Sequence, residues 1–142
     1  MTDGRILGID PGERRIGIAL SDPAGIIASP HAVIDTKQRD FVSEVRAICD
    51  EYEVVLVVVG RPTSLSGHEG PAVERAERVA KQAHDATGLP IVFVDERFTT
   101  AQAERALLEG NVRRADRKKM IDKIAASFIL QTYLDRPTRP TQ

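Results

Sequence analysis

The hydrophobic pattern begins with a short apolar run at positions 6–9, which stops at the acidic residue Asp10. A Pro-Gly turn follows, and apolar residues then alternate with small ones. Alternation with a period of two is typical of a strand, so the stretch from Gly8 to Asp22 is predicted to form a hairpin of two strands. Its small residues Gly17 and Ala19 would leave the backbone open to close approach.

Seven further elements are expected after the hairpin. A third extended segment runs along an edge, where its proline is tolerated, and a first helix follows it. The continuous β-branched run VVLVVVG is typical of a central parallel strand buried on both faces. A second helix, another parallel strand, a third helix and a last helix complete the chain. The predicted bounds are 26–34, 39–51, 54–60, 71–88, 89–94 and 100–110, with a last apolar stripe of Ile121, Ile124, Ala125, Phe128 and Ile129.

This order of elements predicts an α/β fold with a mixed sheet. A hairpin meander continued by right-handed parallel crossovers gives the strand order 3-2-1-4-5, with helices on both faces. The first strand is then central, so Asp10, the loop after Gly60 and Glu96 open at the same edge of the sheet. The last helix would have to lie beside them to bring in Asp122.

Length and charge limit the possible classes of protein. The 142 residues suggest one domain over positions 1–136, followed by a disordered tail at 137–142. A formal net charge of −1 means that any nucleic-acid contact must come from a local basic patch. The single cysteine, Cys49, lies on an apolar helical stripe and is predicted to be a packed thiol. No apolar run approaches the ~20 residues of a membrane span and no signal peptide is evident, so a cytoplasmic protein is expected.

The acid at the end of the first strand is a candidate metal ligand. Open sheets carry their chemistry at strand ends, and Mg²⁺ binds one or two carboxylates together with substrate oxygens. Alternatively, Asp10 caps the turn through backbone NH groups. The loop from Gly60 to Pro71 is long enough to be functional, and its His68 is either a surface histidine or a proton-transfer group.

A basic segment precedes the last helix and is a candidate phosphate-binding site. It contains Arg113, Arg114, Arg117, Lys118 and Lys119. Such a run can also be a solvated face. Asp122 could equally be a helix-surface acid paired with Lys118, Glu96 could pair with Arg97, and Asp22 is expected to cap a turn.

Four ordered blocks cover nearly the whole chain and resemble the YqgF family of pre-16S ribosomal RNA nucleases and Holliday-junction-resolvase-like proteins. The blocks are GIDPGERRIGIALSD at 8–22, VVVGRPTSLSGHEGP at 57–71, VDERFTT at 94–100 and KKMIDKIAASFILQTYLD at 118–135. The resemblance implies an RNase H-like fold and a metal-dependent nuclease whose acids match Asp10, Glu96 and Asp122. Arg61 stands where an apolar residue is expected in this family.

The main functional hypothesis is therefore an endonuclease with a site for two Mg²⁺ or Mn²⁺ ions. Asp10, Glu96 and Asp122 would bind the metal, while Arg14 and the basic segment would hold phosphates. Glu96 must reach inward, because the first and fifth strands lie roughly 10 Å apart, and Asp95 or Asp22 would be the next candidates.

The resemblance implies a structured RNA substrate, most of all the 5′ end of pre-16S ribosomal RNA, with ribosomal particles as further partners. The alternatives are a resolvase-like endonuclease on branched DNA and a non-catalytic nucleic-acid-binding factor of ribosome assembly. An actin-like kinase begins with a similar motif but needs two such lobes, for which the chain has no room. A monomer and a homodimer both remain open.

Overall fold

The computed structural model describes residues 4–62, 70–95 and 114–136, with side chains from position 120 onward in the last range. Glu96, Arg97, His68 and Arg113 lie outside the described residues. So do the predicted helix at 100–110 and the predicted tail at 137–142. Within the described ranges, no helix combines the length and apolarity needed to cross a bilayer.

Five strands form one mixed sheet in the order β3-β2-β1-β4-β5, which confirms the predicted topology. β1 pairs antiparallel with β2 and parallel with β4, and β4 pairs parallel with β5. In chain order the elements are β1 (Arg5–Asp10), β2 (Arg15–Ser21), β3 (Ala28–Asp35), α1 (Phe41–Glu51), β4 (Val54–Arg61), α2 (Pro71–Thr87), β5 (Ile91–Asp95) and α3 (Arg114–Leu134).

The sheet separates two apolar cores. Val57 and Val59 of β4 are fully buried in the core beneath α1 and α2, whereas Leu56 and Val58 face the core beneath α3. Because successive residues of a strand point to opposite faces, this alternation explains the continuous β-branched run. The prediction of a central strand buried on both faces is confirmed.

Capping residues set the boundaries of α1 and α2, the two helices that cover one face of the sheet. α1 begins at Phe41, two residues later than predicted, because the Asp40 side chain accepts a hydrogen bond from the Ser43 backbone NH as the N-cap. Pro71 begins α2, where its missing NH costs no helical hydrogen bond. Gly88 ends α2 in the left-handed conformation, at φ 73°. Cys49 is buried in this core, which confirms the packed thiol.

The third strand is shorter at its start than predicted. The third strand begins at Ala28, and Ile26 and Ile27 precede it with exposed fractions of 63% and 61%. They belong instead to a turn in which Asp22 Oδ1 accepts hydrogen bonds from both of their backbone NH groups, at 2.7 and 2.8 Å. The expected turn cap at Asp22 is thereby confirmed, and these bonds lower the pKa of its carboxyl group.

The last helix begins earlier than predicted, and the side that it buries against the sheet differs in part from the predicted stripe. It begins at Arg114, so the basic segment from Arg114 to Lys119 forms its first turns rather than a loop ahead of it. Ile124 and Phe128 of the predicted stripe are only half-buried. The side facing the sheet carries Ala125 and Ile129 of the predicted stripe, together with Ala126, Leu130, Tyr133 and Leu134. Apolar residues lie on several sides of this helix, so helical periodicity did not select the buried side.

Candidate active site

Asp10 lies where the central strand reaches the edge of the sheet. It is the last residue of β1 and is half-buried. Its partner across the hairpin is Gly17. On the other side, Ile9 pairs with Val59, so Asp10 comes level with the end of β4. Strands on both sides fix the backbone of Asp10, and the parallel strands β4 and β5 end at the same edge.

Helix α3 covers the face of the hairpin to which Asp10 belongs. Directly opposed residues of an antiparallel pair project to the same face, and the pairs Gly8–Ala19 and Asp10–Gly17 are both in register. A methyl group added to Gly8 would lie 2.7 Å from Cβ of Leu130. The prediction that small residues permit close approach is thus confirmed, and the approaching group is α3.

The same packing brings Asp122 beside Asp10. A methyl group on Gly17 would lie 2.6 Å from the backbone carbonyl carbon of Asp122 and would overlap its oxygen. Because Gly17 is the register partner of Asp10, the backbone of Asp122 passes over the residue opposite Asp10. Two of the three predicted acids, Asp10 and Asp122, therefore lie near the same edge and on the same face of the sheet.

Arg15 of β2 forms an ion pair with Asp122, and sequence reasoning missed this residue. Its Nε donates to Asp122 Oδ2 at 3.2 Å. Burial raises the pKa of Asp122 above its usual value, and the hydrogen bond from Arg15 acts in the opposite direction. Strand alternation from Gly17 could have placed Arg15 on this face. The alternative pair of Asp122 with Lys118 is not tested, because the Lys118 side chain lies outside the described residues.

Arg14 is the one predicted phosphate-binding residue whose side chain lies within the described part of the chain. Arg14 is half-exposed and bonds Asp35, with Nη2 to Oδ2 at 3.2 Å. This contact holds the hairpin tip against the end of β3 and lowers the pKa of Asp35. The backbone of Arg114, Arg117, Lys118 and Lys119 lies in the first turns of α3, and these side chains, like Arg113, are outside the described residues.

Two acids considered as substitutes for Glu96 lie elsewhere. Asp22 caps the turn after β2, beyond Ser21, whose hydroxyl accepts from the Ile6 NH near the opposite end of β1. Four residues of strand, or about 13 Å, separate that end from Asp10. Asp95 pairs in register with Arg61, which forms an ion pair with Glu77 of α2 at 3.0 Å. Asp95 thus belongs to the face opposite α3.

The polar side chain of Arg61 is accommodated at the strand end. Its guanidinium contacts Glu77 and also lies over the Phe93 ring, 5.6 Å from the centroid. Both partners are on the α2 side of the sheet. Arg61 therefore leaves the Asp10 face unchanged although an apolar residue was expected at this position.

The carboxylates fit a hard cation in number and placement. Mg²⁺ binds through one or two carboxylates and keeps water or substrate oxygens as its other ligands. Asp10 at the end of β1 and Asp122 on α3 would supply two carboxylates, and the half-buried Asp122 already has one cationic partner, Arg15. Among the described residues, no group of three or more His, Cys, Asp or Glu side chains comes together as a metal site.

The chain is similar to known proteins in sequence and in structure. A family model described as RuvX, Holliday junction resolvase, matches residues 4–136. A protein of Dictyoglomus turgidum is 49% identical over 132 residues, covering 92% of this chain and 94% of its own length. A protein of Clostridium kluyveri is 46% identical over 133 residues, covering 93% and 97%. Both are named "Putative pre-16S rRNA nuclease".

Among solved structures, Thermus thermophilus RuvC in complex with a Holliday junction substrate matches with a TM-score of 0.54 at 18% identity. The match covers 88% of this chain and 91% of that chain. RuvC by itself gives a TM-score of 0.53. Likeness at this identity concerns the fold, and it assigns the mixed sheet to the RNase H-like class.

The chain belongs to the RuvX family, also called YqgF, because the family model and the relatives span nearly its whole length. The predicted family and the predicted enzyme class, a nuclease, are both confirmed. The site within the chain and its substrate require a further argument.

Proposed function

We propose that the chain is a metal-dependent endonuclease that hydrolyses phosphodiester bonds in structured nucleic acid at the carboxyl end of β1. The main observation that supports this proposal is that Asp122 packs over Gly17, the residue paired with Asp10 across the hairpin. Glu96 is proposed as the third carboxylate. Its support is that Val94, two residues earlier, is buried in the core beneath α3, on the Asp10 face.

Each side chain has a role that follows from the element carrying it. Asp10 would hold the cation rigidly, because its strand is paired on both sides. Asp122 would bind from α3, with Arg15 as a positioning residue that holds the carboxylate through Nε. A bound pair of Mg²⁺ or Mn²⁺ ions would activate the attacking water and stabilise the leaving oxygen.

We assign phosphate contacts to Arg14 and to the basic first turns of α3. These turns belong to the helix that carries Asp122, so they would hold the strand near the carboxylates. The members of this set are Arg14, then Arg114, Arg117, Lys118 and Lys119 of α3, and Arg113, which precedes the helix in the sequence.

The proposed substrate is the 5′ end of pre-16S ribosomal RNA, which implies ribosomal particles as partners and the cytoplasm as location. The names of relatives that are 49% and 46% identical support it. Branched DNA is the second candidate, favoured by the description of the family model and by the likeness to RuvC.

A cleavage assay on two substrates tests the proposal. The purified chain is given a pre-16S ribosomal RNA fragment and a four-way DNA junction, with Mg²⁺ or with excess EDTA. We expect the RNA to be cleaved in Mg²⁺ and to remain intact in excess EDTA. Asp10→Asn should also abolish cleavage, because the amide keeps the size of the side chain but loses its charge.

The matched control is Asp95→Asn, which removes the same charge from the opposite face of the same edge and should leave turnover near wild type. Cleavage in excess EDTA would refute metal dependence, as would a folded Asp10→Asn variant with full activity. Cleavage of the junction alone would move the assignment to branched DNA. Metal binding without turnover on either substrate would favour a non-catalytic assembly factor.

A further inference from the structure

Two open cavities adjoin each other around the tip of the β1–β2 hairpin. The larger, of about 530 Å³, lies between the hairpin turn, the β3–α1 connection and α2. The smaller, of about 400 Å³, lies between β2, β3 and the same connection. Gln38 and Arg39 line both, so the two cavities are neighbours, and we call them together the basic groove.

The basic groove concentrates positive charge in a chain whose net charge is −1. Six cationic side chains line it, against the three acidic side chains of Glu13, Asp35 and Asp40. The cationic residues are Arg14, Arg15, Lys37, Arg39, Arg75 and Arg78. This excess is the kind of local patch that a nearly neutral protein needs in order to bind a polyanion.

The acidic residues of the basic groove are already engaged within the protein. Glu13 pairs with Arg75 at 3.1 Å, and Asp40 accepts from the backbone NH and hydroxyl of Ser43. Lys37 and Arg78, by contrast, are exposed and form no ion pair with any residue of the described ranges. Their charges therefore remain directed at whatever occupies the groove.

The lining excludes two common kinds of ligand. Small-molecule pockets are lined mostly by apolar side chains, whereas only Ile16, Phe41 and Val79 among the residues of the larger cavity are large and apolar. Sites for single strands offer aromatic rings on which bases stack. Among the described residues that line the groove, the one aromatic side chain, Phe41, is buried with 6% exposed. Charge without a stacking surface fits the backbone of a double helix.

The basic groove is continuous with the proposed active site. Arg15 lines its smaller cavity and also bonds Asp122, while Gly12 lines the larger cavity two residues after Asp10. On the basis of the proposed function, we infer that the groove binds the phosphate backbone of a double-helical arm of the substrate. The arm would run from the carboxylates around the hairpin tip to α2.

The test compares two pairs of charge removals in the full chain. Lys37→Gln with Arg78→Gln removes two unpaired charges from the groove. The control variant, Arg46→Gln with Lys81→Gln, removes two charges from α1 and α2 at positions outside the groove. Affinity for fluorescein-labelled RNA hairpins with a stem of one or of two helical turns is measured over a series of salt concentrations.

We expect the groove variant to bind the long-stem hairpin about tenfold or more weakly and to flatten its salt slope by about two units, nearly one per phosphate contact. The control pair should match wild type. Wild type should also gain affinity when the stem lengthens, and the groove variant should lose that gain. Circular dichroism establishes that both pairs are folded.

Equal affinity, slope and stem-length dependence in the groove variant and the control would overturn the inference. If wild type still cleaves its substrate in that case, the proposed function stands and only the groove assignment falls. Failure of wild type to bind either hairpin or duplex DNA would overturn both. Equal losses for both pairs would also overturn the inference, because the attraction would then be a property of overall charge.

Discussion

The substitution Gly17→Ala tests whether the contact between α3 and the hairpin creates the site. The added Cβ would lie 2.6 Å from the backbone carbonyl carbon of Asp122, whereas ordinary contacts begin near 3.4 Å. β2 cannot retreat, since ladders to β1 and β3 hold it on both sides. We therefore expect α3 to move by at least about 0.8 Å, the difference between those two distances.

The displacement has two measurable effects. Overpacking of this kind costs about 1–3 kcal/mol, which urea unfolding followed by circular dichroism can measure. A misplacement of about 1 Å at a catalytic group can cost about a hundredfold in rate, so turnover should fall much further than the folded fraction does. Affinity for nucleic acid should fall less than turnover, because the larger cavity of the basic groove is lined by no described residue of α3.

Gly70→Ala is the matched control for Gly17→Ala. An added Cβ there meets no atom of the described residues within 4 Å, and the backbone has φ −120°, which alanine adopts readily. Because Gly70 is the N-cap of α2, where alanine is less favourable than glycine, the substitution should cost at most about 1 kcal/mol. A Gly17→Ala protein with wild-type stability and turnover would refute the reasoning that α3 sets the position of Asp122.

Three further outcomes are expected. Leu130→Ala, which empties a fully buried position against Gly8, should lower the free energy of unfolding by about 2–5 kcal/mol; a value near zero in urea unfolding would contradict the described core. Burial raises the pKa of Cys49 from 9.0 to about 11, so its thiolate population at pH 8 should be about a hundredfold lower than in the unfolded chain. A thiol reagent should therefore label Cys49 only slowly until urea unfolds the protein, and rapid labelling of the native state would contradict its packing. Replacing Arg113, Arg114 and Lys118 by Ala should weaken binding and flatten its salt dependence with little change in sequence preference; an unchanged slope would make the segment a solvated face.

The sheet could be predicted from the sequence because its strand signals are strong and mutually consistent. The β-branched run of β4 and the alternation in β2 are each typical of a β-strand. The right-handedness of parallel crossovers then limits the order of the strands. The orientation of α3 could not be predicted in the same way. Its apolar residues surround the helix, and the buried side is selected by the bare backbone of Gly8 and Gly17 on the sheet.

Sequence reasoning proposed the acids of the candidate site but could not give their arrangement. Asp10 was proposed from its position at a strand end and Asp122 from the family resemblance, while their approach depends on the register that sets Gly17 opposite Asp10. The ion pair of Arg15 with Asp122 joins residues 107 positions apart, so no local pattern contains it. Register also removes Asp95 from the candidates, since it pairs with Arg61 on the α2 side.

Calorimetric titration with Mn²⁺ in the absence of substrate tests the central claim most directly, because it measures the cation site apart from turnover. We expect wild type to bind and Asp10→Ala to lose the most affinity, since its backbone is fixed on both sides. Glu96→Ala and Asp122→Ala should lose less, and Asp95→Ala should bind as wild type does. An Asp10→Ala protein that is folded and binds Mn²⁺ with wild-type affinity would contradict the claim that a metal-dependent nuclease site lies at the end of β1.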